Sequence, residues 1–177
     1  MANIVYIATS IDGFIADRNN KLDWLHMVPN PENIDTGFNN FLNGIDAILM
    51  GRNTFESIAD MNIAWPYPIP VFVYSRRLKV IPGELKDKVS VVCGEPEEVT
   101  TMLNNKGYWR LYIDGGKTIQ SFFRKDLIDQ LTITMIPVLL GDGVPLFGTL
   151  PKHLEFKLAS VKTVLGEMVC TTYRRKI

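Results

Sequence analysis

The sequence predicts an α/β fold, a mainly parallel sheet with antiparallel strands added at one edge. Three features predict it. Over the first two-thirds of the chain, short β-branched runs alternate with helical patterns, the order of strand–helix–strand units. Those runs are apolar almost throughout, as strands buried on both faces are. In the last third the helical patterns largely give way to strand patterns, two of them flanking Leu165-Gly166.

The elements follow in order. Asn3 to Thr9 (NIVYIAT) is a β-branched and aromatic run bounded by turn residues, hence a strand. Ser10 to Lys21 is polar, contains Asp12-Gly13 and Asn19-Asn20, and is expected as loop. After Pro29 and Pro31, Ile34, Phe38, Phe41 and Leu42 recur at helical spacing, so a helix is expected from about Glu32 to Asn43, stopped by Gly44. Ile45 to Met50 is a buried strand, and Arg52 to Ala59 a short helix starting from its end. A proline-rich loop, Trp65 to Pro70, leads to a third strand at Val71 to Tyr74, and Val89 to Cys93 forms a fourth. Pro96 opens a helix reaching about Asn105, because proline is tolerated in a first turn. Leu111 to Ile113 is a fifth strand, followed by Asp114-Gly115-Gly116 and a helix to about Lys125. Gln130 to Leu140, Leu154 to Lys162 and Met168 to Arg174 are the closing strands. No repeat, low-complexity tract or linker interrupts the chain, and one domain over residues 1–177 is expected.

Composition narrows the function. Apolar residues make up 46% and charged residues 21%, the balance of a globular protein. Nineteen Lys plus Arg against 19 Asp plus Glu give zero formal charge, which argues against nucleic-acid and anionic-membrane partners. No apolar run approaches the roughly 20 residues of a membrane span, and no signal-peptide pattern opens the chain, so a cytoplasmic protein is expected. Cys93 and Cys170 lie far apart in apolar strand contexts and are expected as buried structural thiols.

Three strand ends carry residues suited to an anion. Gly51-Arg52-Asn53-Thr54 combines close backbone approach, a permanent cation and a helix start with free N–H groups; a turn glycine beside a surface arginine is the competing reading. Asp114-Gly115-Gly116-Lys117-Thr118 permits a tight curve over a diphosphate, although it is neither a Rossmann nor a Walker motif. Ser75-Arg76-Arg77 offers a hydroxyl and guanidinium groups that could clamp a phosphate, or simply a solvated charge cluster. Asp12, Glu32 and Asp35 are the candidate carboxylates. Asp35, one turn before Phe38, could bond a nitrogen heterocycle, or serve only as a first-turn charge. His26 and His153 lack metal-ligand spacing, and no nucleophile elbow occurs, so metal and hydrolase chemistry recede.

Together these segments resemble a known family. Ser10 to Ala16 (SIDGFIA), Ile48 to Glu56 (ILMGRNTFE), Val73 to Arg76 (VYSR), Ile113 to Gly116 (IDGG), Leu127 to Leu131 and Pro137 to Phe147 (PVLLGDGVPLF) resemble the dihydrofolate-reductase-like superfamily. The resemblance is strongest to the bacterial branch related to the reductase domain of riboflavin biosynthesis, the RibD C-terminal domain type. It implies a three-layer α/β/α fold with a mainly parallel mixed sheet and antiparallel C-terminal strands. It also implies an NADPH-dependent oxidoreductase that passes a hydride to a small pterin-, pyrimidine- or similar heterocyclic substrate. The alternatives are a 5-amino-6-(5-phosphoribosylamino)uracil reductase and a non-catalytic NADPH-binding module.

The resemblance places NADPH on Gly51, Arg52, Asn53 and Thr54, on Ser75 and Arg76, and on Gly115, Gly116, Lys117, Thr118 and Ile119, with Arg52 near the 2′-phosphate. It makes Asp35 the catalytic carboxylate, with Asp12, Asp35 and Phe38 lining the substrate site, no metal, and a homodimer formed through sheet-edge strands. Two departures stand out. No arginine precedes the third strand, where Tyr67-Pro68-Ile69-Pro70-Val71 stands, and no deaminase domain or zinc motif is present.

Overall fold

The computed structural model describes residues 1–61 and 63–176. Its main sheet has eight strands, built from β1 (Ala2–Thr9), β3 (Ala47–Gly51), β4 (Val71–Tyr74), β5 (Val89–Val92), β6 (Arg110–Asp114), β7 (Gln130–Met135), β9 (Phe156–Val164) and β10 (Met168–Arg175). They are ordered β5-β4-β3-β6-β1-β7-β10-β9. Every neighbouring pair is parallel except the two that involve β10, which runs against β7 and β9. A mainly parallel sheet with an antiparallel C-terminal edge is therefore observed.

Alternation along the strands sorts the two faces. Ala47, Leu49, Leu111, Ile113 and Phe72 point to one side and pack beneath α3 (Pro96–Asn105) and α4 (Gly116–Arg124), with Val99, Leu103, Ile119, Phe122 and Phe123. Ile48, Met50, Tyr112, Val71 and Val73 point to the other side, beneath α1 (Phe38–Leu42) and α2 (Arg52–Ala59), with Leu42 and Phe55. Both faces of these strands are dry, which explains their unbroken apolar runs. The layers are α/β/α, as the resemblance implies.

Four local expectations fail, each for a physical reason. The segment Ser10 to Lys21 is not all loop: β2 (Phe14–Asp17) pairs with β8 (Gly143–Pro145), an antiparallel contact between segments far apart in sequence. The helix expected from Glu32 is only Phe38–Leu42, because Asn33 (φ 49°) and Gly37 (φ 108°) hold the chain out of the right-handed helical region. β7 stops at Met135 instead of reaching Leu140, since Pro137 has no N–H for the ladder. Of the two thiols expected to be buried, Cys170 is buried and Cys93 is exposed, just past the end of β5 at the Gly94 turn.

One stretch of sheet stays uncovered. On the α3/α4 side the helices cover β1 and β7 and, through Phe123, reach β9 and β10 only at Phe156 and Tyr173. Met135, Val169, Leu158 and Val161 are left exposed along β7, β10 and β9, and among the described residues β9 has no partner on its outer edge.

Candidate functional site

Two neighbouring strands determine where a ligand can enter. β3 and β6 are hydrogen-bonded, yet α2 leaves β3 for one face while α4 leaves β6 for the other. The backbone parts between them, and a crevice opens at the carboxyl ends of the strands, where open α/β sheets bind ligands.

The crevice is narrow because glycine stands on both sides. A Cβ on Gly115 would lie 2.5 Å from the Thr54 hydroxyl oxygen and 3.4 Å from the Gly51 nitrogen, and a Cβ on Gly51 would lie 2.8 Å from the Thr118 hydroxyl oxygen. Gly115 also holds φ 87°, a left-handed conformation that side chains disfavour. Gly116 meets the β2–β8 pair: its Cβ would lie 2.9 Å from Ile15 Cδ1 and 3.4 Å from Val144 Cγ1. Four elements thus converge on the two glycines after β6.

Both helices that start here have open N-termini. Gly51 caps α2 and Gly115 caps α4; neither supplies a side-chain cap, and neither helix has an acid in its first turn. α3 is the internal contrast. Its N-terminus is closed by a capping box of Glu95 and Glu98, with Glu97 beside them. The positive dipole ends of α2 and α4 therefore face the crevice with no side-chain cap and no first-turn acid, the carboxylate nearest the α4 start being Asp114, which accepts from Gly115 N.

The remaining expected residues take several positions. Arg52 and Asn53 stand at the lip, Arg52 within 3.8 Å of Glu56 and so only loosely paired. Thr54 and Thr118 face each other across the glycines. Lys117 is exposed, whereas Ile119 is fully buried and its N–H is bonded to Gly115 O, so its side chain anchors α4 in the core. Ser75 follows β4, and its hydroxyl oxygen accepts from Arg77 N and Leu78 N. Arg76 pairs with Glu95 at 3.3 Å, and Lys125 reaches the same carboxylate at 3.5 Å.

The carboxylates divide by environment. Asp12 is saturated: it accepts from the Ser10 hydroxyl (2.6 Å), Gly141 N (2.7 Å) and Leu140 N (3.2 Å), and these donors, Ser10 first, lower its pKa. It pins the loop after β1 to the chain beyond β7. Asp35 lies in the exposed loop before α1, where its Oδ1 accepts from Gly37 N (3.0 Å) and Asn39 N (3.5 Å). Asp114 ends β6 on the α1/α2 side, since it alternates with Tyr112. Burial pushes its carboxyl up to about 6, against a hydrogen bond from Gly115 N. Its charge and burial also raise the Tyr67 phenol, burial being the larger cause.

Aromatic rings wall this side. Phe38 lies 5.8 Å from Tyr6 and 6.2 Å from Tyr112; Phe41 stacks on Tyr6 at 4.5 Å and meets Tyr112 edge-on at 5.0 Å. The Tyr6 phenol is pushed up to about 12 by burial first, then by Cys170 and Asp35. Phe38 joins this wall, whereas Tyr6, Tyr67, Tyr112 and the orientation of Asp114 escape a reading by motif. The period-two pairing of Tyr112 with Asp114 in β6 was the available signal.

Comparison with known proteins supplies the family and the fold. The model of the RibD C-terminal domain matches residues 3–170. Protein YwjB of Bacillus subtilis (strain 168) is 30% identical over 97% of this chain and 97% of its own. A Shewanella sp. PV-4 protein assigned to riboflavin biosynthesis is 50% identical and superposes with a TM-score of 0.97, covering 100% of both chains. The Thermotoga maritima diaminohydroxyphosphoribosylaminopyrimidine deaminase/5-amino-6-(5-phosphoribosylamino)uracil reductase shares the fold (TM-score 0.75, 14% identity), with 99% of this chain covering 56% of that one.

The crevice geometry is testable at Gly115. Gly115→Ala is expected to cost about 1–3 kcal/mol of stability through strain and the Thr54 contact. Gly107→Ala, at φ 94° with open space around it, should cost less. Equal losses in urea denaturation would contradict the close approach of the two strand ends.

Proposed function

Because the chain belongs to the RibD C-terminal domain family, a family of oxidoreductases, we propose that it is a single-domain, NADPH-dependent reductase of a small pterin- or pyrimidine-like heterocycle. The carrying observation is the glycine-lined crevice between two uncapped helix N-termini at neighbouring strand ends. A Cβ at Gly51 or Gly115 would collide with Thr118 or Thr54 and force the two strand ends apart, and the backbone N–H groups of the two helix starts face the crevice, which suits a dinucleotide diphosphate. In this reading Gly115, Gly116, Lys117 and Thr118 hold the diphosphate, with Ile119 behind them in the core. Gly51, Arg52, Asn53 and Thr54 flank it, Arg52 taking the 2′-phosphate, while Ser75 and Arg76 meet the adenosine end. When bound, NADPH supplies the hydride.

The chain's own part is to hold the heterocycle and move a proton. Phe38, with Tyr6 and Tyr112 behind it, presents ring surface to a flat substrate. Asp114 is the group suited to deliver the proton that must accompany reduction of a ring C=N bond. Its carboxyl is raised to about 6, so it is protonated for part of the time near neutral pH. Asp35, already receiving two backbone N–H bonds, is placed at the rim, where its remaining lone pairs can accept from an exocyclic amine. Asp12 acts from behind by fixing the β1 loop over the site. Family membership also favours the riboflavin-pathway aminouracil reductase as the second reading. An uncovered apolar sheet face on β7, β10 and β9 supports a homodimer.

Asp114→Asn is expected to lower kcat about 100-fold with NADPH affinity kept. The wild-type rate should fall as pH rises through about 6, and the variant should lose that step. Wild-type stability should fall with rising pH as well. A carboxyl raised in the folded state disfavours folding once pH exceeds its unfolded value near 3.8, the cost being complete above about 6. The variant should thus be more stable than wild type at pH 7, by about 1–2 kcal/mol. Unchanged turnover would remove Asp114 from the chemistry. Arg52→Ala should weaken NADPH at least tenfold more than NADH in a fluorescence titration; equal losses would contradict its role. Light scattering should give twice 20.0 kDa, reduced to one chain by Val161→Lys; a monomeric wild type would contradict the dimer.

A further inference from the structure

Gly37, which caps the start of α1, has two polar side chains against it. A Cβ there would lie 2.9 Å from Lys162 Nζ and 3.3 Å from Tyr6 Oη. On the backbone side, Asp35 Oδ1 accepts from Gly37 N at 3.0 Å. An ammonium, a phenol and a carboxylate therefore meet around one residue, beside the wall that Phe38 and Tyr6 form.

Lys162 arrives from the far edge of the sheet. It pairs with Cys170 across β10, Cys170 pairs with Thr134 on β7, and Thr134 with Ala8 on β1, two residues after Tyr6. Paired residues share a face, so this row lies on the same side as Tyr6, the side of α1. The Tyr6 row continues through Thr132, Thr172 and Ser160, with the two threonine hydroxyls 3.0 Å apart. From the outermost strand the lysine stem thus stretches inward across hydroxyls until its ammonium reaches the phenol. Among the described residues Lys162 forms no ion pair.

The three groups differ in what they can bond. A carboxylate accepts, an ammonium donates, and Tyr6 already offers its proton to Thr36 O at 3.4 Å. A flat ring that lies on Phe38 and reaches Asp35 with an amine or ring N–H brings a neighbouring edge position to Lys162. A carbonyl oxygen there finds a charged donor. An amino group in the same place meets an ammonium that cannot accept, and its hydrogens stay unpaired. A phosphate or carboxylate would take the ammonium but face the like charge of Asp35 across Gly37.

We propose that Lys162 is a specificity-determining residue that donates to a ring carbonyl of the substrate. Together with Asp35 it selects a heterocycle with a lactam edge, C=O beside N–H, over the amino analogue. This rests on the reading above that the ring lies on Phe38 with Asp35 at its rim.

The test is calorimetric titration, at neutral pH, of the full chain saturated with NADP⁺, using pterin and 2,4-diaminopteridine. These two differ only in that the diamine exchanges the lactam C=O and N–H of pterin for an amine and a bare ring nitrogen. Pterin is expected to bind at least about tenfold tighter, the worth of one charged hydrogen bond. Lys162→Met, which keeps the stem without the charge, should bring the two ligands to nearly equal affinity, chiefly by weakening pterin. Lys162→Arg, which keeps a charged donor, should retain a preference for pterin. Lys162→Gln, with a shorter neutral amide, should narrow the gap, and takes over the test if the methionine variant fails to fold. Wild-type affinities that are equal or favour the diamine overturn the proposal while leaving the reductase reading intact. A pterin preference unchanged on removal of the ammonium overturns it as well. If neither pteridine binds although NADP⁺ does, the heterocycle reading fails and the role of Lys162 falls with it.

Discussion

The contact between Gly115 and the β3–α2 junction is the constraint on which the rest of the site depends. Hydrogen bonding holds β3 and β6 side by side, and their following helices then depart to opposite faces. The two helix N-termini can come together only if neither strand end carries a side chain at the meeting point. Gly51 and Gly115 meet that condition, and Thr54 and Thr118 fill the space a Cβ would need. What remains is a short arc of N–H groups at two helix starts that, among the described residues, have neither a side-chain cap nor a first-turn acid. α3, by contrast, has its start closed by a capping box of Glu95 and Glu98.

Around that arc the protein keeps one carboxylate in an unfavourable state. Asp12 and Asp126 are surrounded by donors and held in their charged forms, Asp126 chiefly by Arg175. Asp114 has one N–H and a wall of tyrosines, so burial raises its carboxyl instead. Two environments for one residue type separate structural acids from an acid that can exchange its proton near neutral pH. An amide at that position would relieve the cost of burying the carboxylate, and this is the physical ground on which Asp114 is proposed as the proton donor.

Much of this was legible in the sequence, and the failures share a cause. Val71–Tyr74, Arg52–Ala59 and Pro96–Asn105 are found where propensity, a strand-end glycine and an N-terminal proline put them. These signals are local. The β2–β8 pair joins Phe14 to Pro145, and no window of neighbouring residues reports such a pairing. The helix expected from Glu32 fails because apolar spacing was weighed without the left-handed residues Asn33 and Gly37. At the site, the glycine motifs located the crevice. The aromatic wall and the facing of Asp114 arise from strand alternation and from Tyr67 folding back from a loop, so only the assembled chain displays them.

The central claim is that a nicotinamide dinucleotide lies across the paired strand ends. A crystal structure of the full chain with NADPH tests it most directly. The account predicts the diphosphate within hydrogen-bond distance of the N–H groups of Gly116 and Lys117, and the 2′-phosphate at Arg52. A nucleotide bound elsewhere on the molecule, or a crevice left empty at saturating NADPH, would contradict it.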